Sequence, residues 1–313
     1  MSDVVLVTGA GGCLGAWCVR HLIEDGYGVV AFDISRDDRR LRELLGADAL
    51  VSVRFVQGDL TDAEALQKAL ERHEVSWIIH LAALQVPFCR ADPPLGARVN
   101  VEGSVRVFEA ARAARIRHLA YASSIAVYGP ASDYDATMVD DGMPKRPRTV
   151  YGMTKVANEL TAGVYWHDHG VSSVALRPYT VYGVGRDQGL TSEPSLAMAA
   201  VARGADAHVS FGGRMQFQWA SDVARQFIAA ATTPSDGAKV FDLGGPVVDV
   251  LEIASIIERI RPGRRVSVGD ARLPFAEAFD DSALRREAST VYETPLEEGV
   301  RRSIEHYERL FAM

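Results

Sequence analysis

The chain has 313 residues, 48% of them apolar, which is enough to bury the core of one large two-lobed domain or of two domains. Its net charge of −7 and isoelectric point near 5.7 argue against nucleic acid as the main partner, because binding a nucleic-acid backbone usually needs a basic face. We find no apolar run of membrane-spanning length and no cleavable leader, so neither membrane insertion nor export is expected.

The first predicted strand and helix enclose a glycine loop. An apolar run at residues 4–7 predicts a buried strand, and Thr8-Gly9-Ala10-Gly11-Gly12-Cys13-Leu14-Gly15 leads from it into a predicted helix at 14–24. Gly9 permits a tight turn, Gly12 lets the backbone approach a pyrophosphate, and Gly15 lets the helix pack closely on the strand. Free N–H groups at the helix start would face the anion. The loop therefore predicts a dinucleotide site formed by Gly9, Gly12, Cys13, Leu14 and Gly15.

The second predicted strand, residues 29–32, ends in the carboxylate of Asp33. An acid at this place can accept hydrogen bonds from both hydroxyls of an adenosine ribose and would repel a 2′-phosphate, so NAD is favoured over NADP. Arg36 supports the opposite choice, since a nearby guanidinium could pair with that phosphate. The alternative for Arg36 is a solvated charge in a polar loop.

The third predicted strand, residues 53–56, is followed by Gly58-Asp59-Leu60. Asp59 could meet the adenine amino group, or it could only cap the turn. The sequence Thr61-Asp62-Ala63-Glu64 is typical of a capping box that opens a helix running to about residue 73.

Further strands are predicted at residues 77–81, 118–122, 173–176 and 240–243, separated mostly by helical stretches. This alternation predicts an α/β fold, a Rossmann-type doubly wound parallel sheet covered by helices on both faces. From residue 178 the alternation weakens among glycine-marked loops, and the C-terminal stretch reads as helices over the cleft. We therefore expect a dinucleotide-binding domain at 1–177 plus about 218–247, and a smaller C-terminal α/β substrate lobe at 178–217 and 248–313.

Tyr151 and Lys155 are placed four apart on a predicted helix, so both side chains face the same side. The ammonium group would then lie near the phenol and favour its ionised form, which can take a proton from an alcohol. Ser124 would hydrogen-bond the same oxygen, and Lys155 would also bind the nicotinamide ribose. Together with a dinucleotide, these residues predict hydride transfer to or from a secondary alcohol.

Cys13, Cys18 and Cys89 lack metal-ligand spacing and a nearby histidine cluster, so neither a metal site nor a disulfide framework is expected. Reduced thiols of this kind are typical of a cytoplasmic protein.

Many landmarks in order resemble the extended short-chain dehydrogenase/reductase family, the NAD-dependent epimerase/dehydratase group, over nearly the whole chain. They are the Thr8-Gly-x-x-Gly-x-x-Gly15 loop, Asp33, Asp59-Leu60, His80-Leu81-Ala82-Ala83, Asn100, Ser123-Ser124-Ile125-Ala126-Val127-Tyr128-Gly129, Tyr151-x-x-x-Lys155, Leu176-Arg177-Pro178 and Ser221-Asp222-Val223-Ala224.

The resemblance implies a catalytic triad of Ser124, Tyr151 and Lys155. It also implies a homodimer formed through the helices near 99–112 and 151–167. His80 ends an apolar strand and is expected to be a hydrogen-bonded core residue rather than a catalytic one. Beyond the glycine loop and Asp33, the resemblance places the cofactor against Asp59, Leu60, Leu81, Ala82, Ala83, Asn100, Ser123, Tyr151, Lys155 and Pro178.

The residues around the triad favour some reactions over others. Sugar-nucleotide dehydratases of this family carry an acidic pair where this chain has Ile125 and Ala126, so dehydration is disfavoured, as is the decarboxylase variant that needs a glutamate there. Nucleotide-sugar epimerases usually have an asparagine and an arginine where this chain has Thr180 and Met215. Losing both donors would cost several kcal/mol of diphosphate recognition, at roughly 1.5–3 kcal/mol per hydrogen bond to a charged group.

The preferred hypothesis is therefore an NAD-dependent dehydrogenase acting on a free sugar, sugar acid or polyol. The alternative is a UDP-sugar 4-epimerase with bound NAD, and a remote alternative is a dinucleotide-sensing protein without turnover. No metal, nucleic acid or membrane partner is expected. The predicted substrate residues are Gln85, Phe88, Ser124, Ile125, Tyr179, Thr180, Gln188 and Trp219.

Overall fold

A computed structural model describes residues 3–134, 136 and 138–312. Its strands are β1 Val4–Thr8, β2 Gly28–Asp33, β3 Arg54–Gln57, β4 Trp77–His80, β5 His118–Ala122, β6 Met138–Val139, β7 Ser172–Arg177, β8 Thr180–Tyr182, β9 Ala207–Gly212, β10 Arg214–Trp219, β11 Ala238–Asp242, β12 Val247–Asp249, β13 Val266–Arg272 and β14 Ala278–Phe279. Its α-helices are α1 Cys13–Glu24, α2 Arg39–Leu50, α3 Ala63–Arg72, α4 Val86–Ala91, α5 Pro93–Ala97, α6 Gly103–Ala113, α7 Val150–His169, α8 Glu193–Ala202, α9 Ala220–Thr232, α10 Val250–Ile260, α11 Ser282–Glu287 and α12 Leu296–Phe311.

Seven parallel strands form the central sheet, in the order β11-β7-β5-β4-β1-β2-β3. All seven were predicted, with bounds within two residues of those observed. Alternate side chains of β1 enter different cores: Val5 and Val7 join one apolar cluster, and Leu6 joins the cluster on the opposite face. The predicted Rossmann-type α/β fold is confirmed, because the central sheet is parallel and apolar clusters lie on both of its faces.

The region after residue 178 contains more strand than the sequence pattern indicated. β8 pairs with β10, which also pairs with β12, and β13 pairs with β9. These strands are short and pair with partners that are distant in the sequence, so no local pattern revealed them. The sequence analysis therefore interpreted the glycine-rich stretch as loops. The helices expected after residue 248 are present as α10, α11 and α12, and the structure adds β13 and β14 between α10 and α11, which the sequence pattern did not indicate.

The start of α3 also differs from the prediction. Asp62, rather than Thr61, is the N-cap, and its carboxylate accepts hydrogen bonds from the backbone of Glu64 and Ala65. The Thr61 hydroxyl instead donates to Asp59 at 2.8 Å. Asp is as good an N-cap as Thr, so the capping-box pattern alone could not choose between them.

A π-helix, Arg98–Glu102, joins α5 to α6 within the stretch predicted as one helix. Asn100 lies in it, fully buried, and its amide bonds both the N–H and the carbonyl of Leu84. It also donates to Thr154 on α7 at 3.2 Å. Asn100 therefore fixes the segment after β4 against α7 from behind.

No helix in the described part of the chain combines the length and apolar character needed to cross a bilayer.

Candidate active site

A cleft of about 660 Å³ opens at the carboxyl ends of the central strands. Parallel sheets bind ligands at this edge. The predicted residues that line it are Gly9, Gly12, Cys13, Leu14, Gly15, Asp33, Asp59, Leu60, Leu81, Ala82, Ala83, Gln85, Phe88, Ser123, Ser124, Ile125, Tyr151, Lys155, Pro178, Tyr179 and Gln188.

The glycine loop has the backbone that its sequence predicted. Gly9 has a φ of +69°, and a Cβ there would lie 2.8 Å from the backbone of Ala82. A Cβ on Gly15 would lie 2.1 Å from the Gly9 carbonyl oxygen, so only glycine allows α1 to start this close to β1. The loop thus leaves a backbone cradle at the start of a helix, where a phosphate group fits.

Asp33 lies beside this cradle. Its carboxylate accepts hydrogen bonds from the N–H of Gly11 at 2.9 Å and of Ser35 at 3.1 Å. Arg36 is exposed and is not among the residues that line the cleft, which agrees with a solvated loop charge. Asp59 lines the cleft and also caps its own turn, accepting from the backbone N–H and the hydroxyl of Thr61.

Helix α7 brings Tyr151 and Lys155 to the cleft. The Thr149 hydroxyl caps its first turn by accepting from the N–H of Gly152. A Cβ on Gly152 would lie 2.1 Å from the Ala126 carbonyl oxygen, so this glycine lets α7 approach the turn that carries Ser124. The Lys155 ammonium donates to the Ala122 carbonyl at 2.7 Å and lies 5.4 Å from the centre of the Tyr151 ring.

The electrostatics of Tyr151 differ from the sequence-based expectation. Burial raises the pKa of Tyr151 above its usual value, while the hydrogen bond with Ser124 and the charge of Arg186 oppose this rise. Burial also lowers the pKa of Lys155, to about 8. Arg186, which the sequence analysis did not single out, is therefore a second cation near the phenol, beside the Lys155 ammonium.

Three predicted residues do not line the cleft. Asn100 lies behind it, as described above. Thr180 is fully buried, and its hydroxyl contacts the sulfur of Met215 at 3.4 Å. Trp219 turns away to donate to Ser303 on α12 at 3.2 Å. Alternation along β8 explains Thr180, because its neighbours Tyr179 and Val181 take the cleft-facing places.

The loop between β8 and α8 contributes cleft residues that the sequence did not predict: Arg186 and Thr191, joined by Phe275 from the C-terminal region and Arg40 from α2. Glycines with positive φ at Gly183, Gly185 and Gly189 shape this loop. A charged residue between three such glycines was the one available signal for Arg186.

This loop is tied to the cofactor side of the molecule. Trp17 on α1 donates its indole N–H to the Val184 carbonyl at 3.0 Å. Arg40 on α2 donates to the carbonyls of both Gly185 and Gly11, at 3.1 and 2.8 Å. Arg40 also forms an ion pair with Asp187 at 2.6 Å. One guanidinium thus bridges the glycine loop and the loop that carries Arg186.

An ion network lies directly beneath the serine turn. Arg177 donates two hydrogen bonds of 2.7 Å to the Glu159 carboxylate and contacts Asp242 at 3.3 Å. The Tyr128 hydroxyl accepts from Arg177 and donates to Asp242 at 2.6 Å. Glu159 also accepts from the hydroxyl of Ser123. Arg177 is only 2% exposed, so these charges depend on one another rather than on water.

His80 has the structural role expected of it. Its ring bonds the hydroxyls of Thr8 and Ser104 at 2.8 and 2.9 Å, and it is 4% exposed. Burial lowers the pKa of His80 to about 3, from an ordinary value of 6.5. The ring is therefore neutral near pH 7.

This shift predicts acid destabilisation. Between pH 6.5 and 3 the unfolded chain binds a proton at His80 that the folded chain does not, so the free energy of unfolding falls as the pH falls. Between pH 7 and 5 the loss from this group is about 2 kcal/mol. Denaturant titrations of the wild type and His80→Gln should show that loss only in the wild type. A His208→Gln control, at an exposed histidine, should match the wild type; equal pH slopes for all three would contradict the prediction.

No group of three or more His, Cys, Asp or Glu side chains suited to a metal occurs among the residues described by the structure. Cys13, Cys18 and Cys89 are free thiols, and burial raises the pKa of Cys13 to about 11.

Comparison with known proteins gives consistent matches. The model of the NAD dependent epimerase/dehydratase family matches residues 5–244. UDP-glucose 4-epimerase of Mycolicibacterium smegmatis is 33% identical over 245 residues, which are 76% of each protein. The solved structure of MoeE5 in complex with UDP-glucose and NAD is 30% identical, with a TM-score of 0.82 over 99% of this chain and 100% of that one. Thermus thermophilus UDP-glucose 4-epimerase with NAD, at 23% identity, has a TM-score of 0.82 over 97% and 98% of the two chains and shows the shared fold.

Proposed function

The chain belongs to the NAD-dependent epimerase/dehydratase family, and from that premise we propose that it is a UDP-sugar 4-epimerase. The similarity to UDP-glucose 4-epimerase over three quarters of the chain carries this proposal. MoeE5, of similar identity over nearly the whole chain, has been solved with both UDP-glucose and UDP-glucuronic acid. These relatives agree with the epimerase better than with the free-sugar dehydrogenase that the sequence analysis preferred.

NAD is the cofactor, and the residues of the cleft fit it. The backbone cradle at Gly9 and Gly15 has no room for a Cβ and leaves N–H groups for a pyrophosphate. The Asp33 carboxylate stands where an adenosine ribose would be bound and where a 2′-phosphate would be repelled. When bound, NAD supplies hydride acceptance and return.

The chain's own residues would handle the proton. We assign Tyr151 as the group that takes the proton from the sugar hydroxyl and gives it back after the sugar has turned. The Ser124 hydroxyl, which lies close enough to Tyr151 to oppose the rise in its pKa, would hold the same oxygen. Lys155 is fixed by the Ala122 carbonyl, so its charge stays within a short distance of the phenol and of a bound ribose.

The experiment is incubation of the purified, NAD-loaded protein with UDP-glucose, UDP-galactose and UDP-glucuronic acid, followed by chromatography of the sugar nucleotides and absorbance of NADH. We expect the C4 epimer of at least one substrate without net NADH. Stoichiometric NADH with a free sugar, sugar acid or polyol, and no epimer, would replace this proposal with the dehydrogenase.

One observation favours that second candidate. In this family's nucleotide-sugar epimerases, the positions of Thr180 and Met215 usually hold the asparagine and arginine that donate to the diphosphate. Here the two side chains contact each other in the core, 0% and 1% exposed, and neither can reach a ligand. A dehydrogenase of unactivated substrates would not need those donors.

We further propose that the protein is a homodimer. On α7, Met153, Leu160 and Val164 are 44%, 68% and 55% exposed and recur at helical spacing, which makes an apolar stripe suited to a second copy. Leu160→Glu should turn a dimer into a monomer in sedimentation analysis. Leu251→Glu, at a similarly exposed leucine on α10, should leave the mass unchanged. A monomeric wild type would refute the proposal.

A further inference from the structure

Arg186 is a cation at the catalytic end of the cleft without a carboxylate partner among the described residues. Its Nε is buried and makes no hydrogen bond. Its Nη2 has one long contact, 3.4 Å to the Thr191 hydroxyl. The neighbouring Asp187 does not pair with Arg186, because its carboxylate forms ion pairs with Arg39 and Arg40.

An arginine whose buried N–H groups lack partners is suited to binding an anion. A guanidinium offers five N–H donors in a rigid fork that matches a carboxylate, and a buried donor left unpaired is costly. The side chain is also confined: a Cβ on Gly189 would lie 3.0 Å from its Nη2 and 2.4 Å from Gln85 Oε1. The guanidinium therefore lies against Gly189, near both Gln85 and Thr191.

The charges that line the cleft are distributed unevenly. The lining carboxylates are Asp33, Asp37 and Asp59, all on the adenosine side. Arg186 lies away from these carboxylates, between the glycine loop and the catalytic residues, where its charge acts to lower the pKa of both the Cys13 thiol and the Tyr151 phenol. An anionic group on the substrate near the reacting hydroxyl would meet a cation and no opposing carboxylate among these lining residues.

We propose that Arg186 binds a carboxylate of the substrate adjacent to the reacting alcohol, so that the preferred substrate is a uronic acid, free or nucleotide-linked, rather than a neutral sugar. This inference rests on the proposed function for the location of the reacting carbon. It deepens that function by naming the substrate class. Two other anions could meet the same fork, the pyrophosphate of NAD and the diphosphate of a nucleotide sugar.

The test is calorimetric titration of the NAD-loaded wild type, Arg186→Met, Arg186→Lys and a distant control, Arg225→Met. The probes are glucuronate against glucose, and UDP-glucuronic acid against UDP-glucose. We expect the wild type to prefer each acid by about tenfold to a hundredfold, as for a hydrogen-bonded charge pair. Arg186→Met should lose that preference while binding the neutral probes within about twofold of the wild type. Arg186→Lys should keep part of it.

Several outcomes would overturn the inference. Two concern the wild type: equal binding of acid and neutral probes, or failure of both acids to bind. Two concern Arg186→Met: an equal loss of affinity for both UDP-sugars, or weaker NAD binding in a separate titration.

Failure of this inference can be told apart from failure of the proposed function. Epimerisation of UDP-glucose without preference for acids would sink only the inference, and an Arg186-dependent preference for glucuronate without epimerisation of any UDP-sugar would sink only the epimerase.

Discussion

Replacement of Tyr151 by Phe is expected to lower kcat by about 10²–10⁴-fold, the range typical of a lost general acid or base. We propose that the phenol transfers the proton, because Ser124 lies beside it and the Lys155 ammonium lies 5.4 Å from the centre of its ring. Phe keeps the ring and so keeps the packing of α7 against the serine turn. Affinity for NAD, measured by fluorescence titration, should therefore stay within about twofold of the wild type.

Tyr165→Phe is the matched control, because Tyr165 lies on the same helix and its hydroxyl binds Glu109 away from the cleft. This control should retain the wild-type kcat. If Tyr151→Phe turned over at the rate of the control, the assignment of Tyr151 would be wrong. If cellular function survived the change while catalysis was lost, the protein would serve as a dinucleotide sensor rather than as a catalyst.

The second large effect concerns stability. Arg177→Met should lower the free energy of unfolding by about 3–5 kcal/mol, the usual cost of breaking a buried ion pair from one side. The substitution leaves the carboxylates of Glu159 and Asp242 buried without their cation, at side-chain exposures of 10% and 0%. Denaturant-induced unfolding followed by circular dichroism measures the change.

The control for this prediction is Arg225→Met. Arg225 pairs with Asp25 at 2.6 Å, but its side chain is 28% exposed, and pairs of this kind contribute at most about 1 kcal/mol. An intermediate loss is expected for Arg177→Lys, which keeps the charge but not the two-pronged contact with Glu159. Equal losses for Arg177→Met and Arg225→Met would show that the buried network contributes no more than a surface pair.

The sequence predicted the central sheet because its strands are apolar runs separated by amphipathic helices and punctuated by glycine. It did not predict the small sheets after residue 178. There β8 and β12 have three residues each, too few to show the alternation of apolar and polar residues that marks a strand. Their pairing partners are also distant in the chain. The π-helix was hidden for a related reason, since its apolar spacing is close to that of the α-helices on either side.

The cofactor side of the cleft was predictable because backbone geometry dictates its residues: a Cβ at Gly15 would clash with its own loop. The substrate side depends on which face of a strand points inward and on how loops fold over it. Trp219 was predicted to face the substrate and instead binds Ser303, since an aromatic residue at a strand end suits a core as well as a pocket. Arg186 was missed because the surrounding glycines indicated only a loop, and the absence of a carboxylate partner among the described residues is visible only in the structure.

The double contact of Arg40 has a thermodynamic consequence. One of its nitrogens holds the glycine loop at Gly11 and another holds Gly185, next to Arg186. If NAD orders the glycine loop, the loop between β8 and α8 that carries Arg186 is therefore ordered as well. Coupling of this kind is reciprocal, so a substrate that binds more tightly in the presence of NAD must itself raise the affinity for NAD by the same free energy. Retention of the dinucleotide through a catalytic cycle would then be a property of the occupied cleft as a whole, and not of the glycine loop alone.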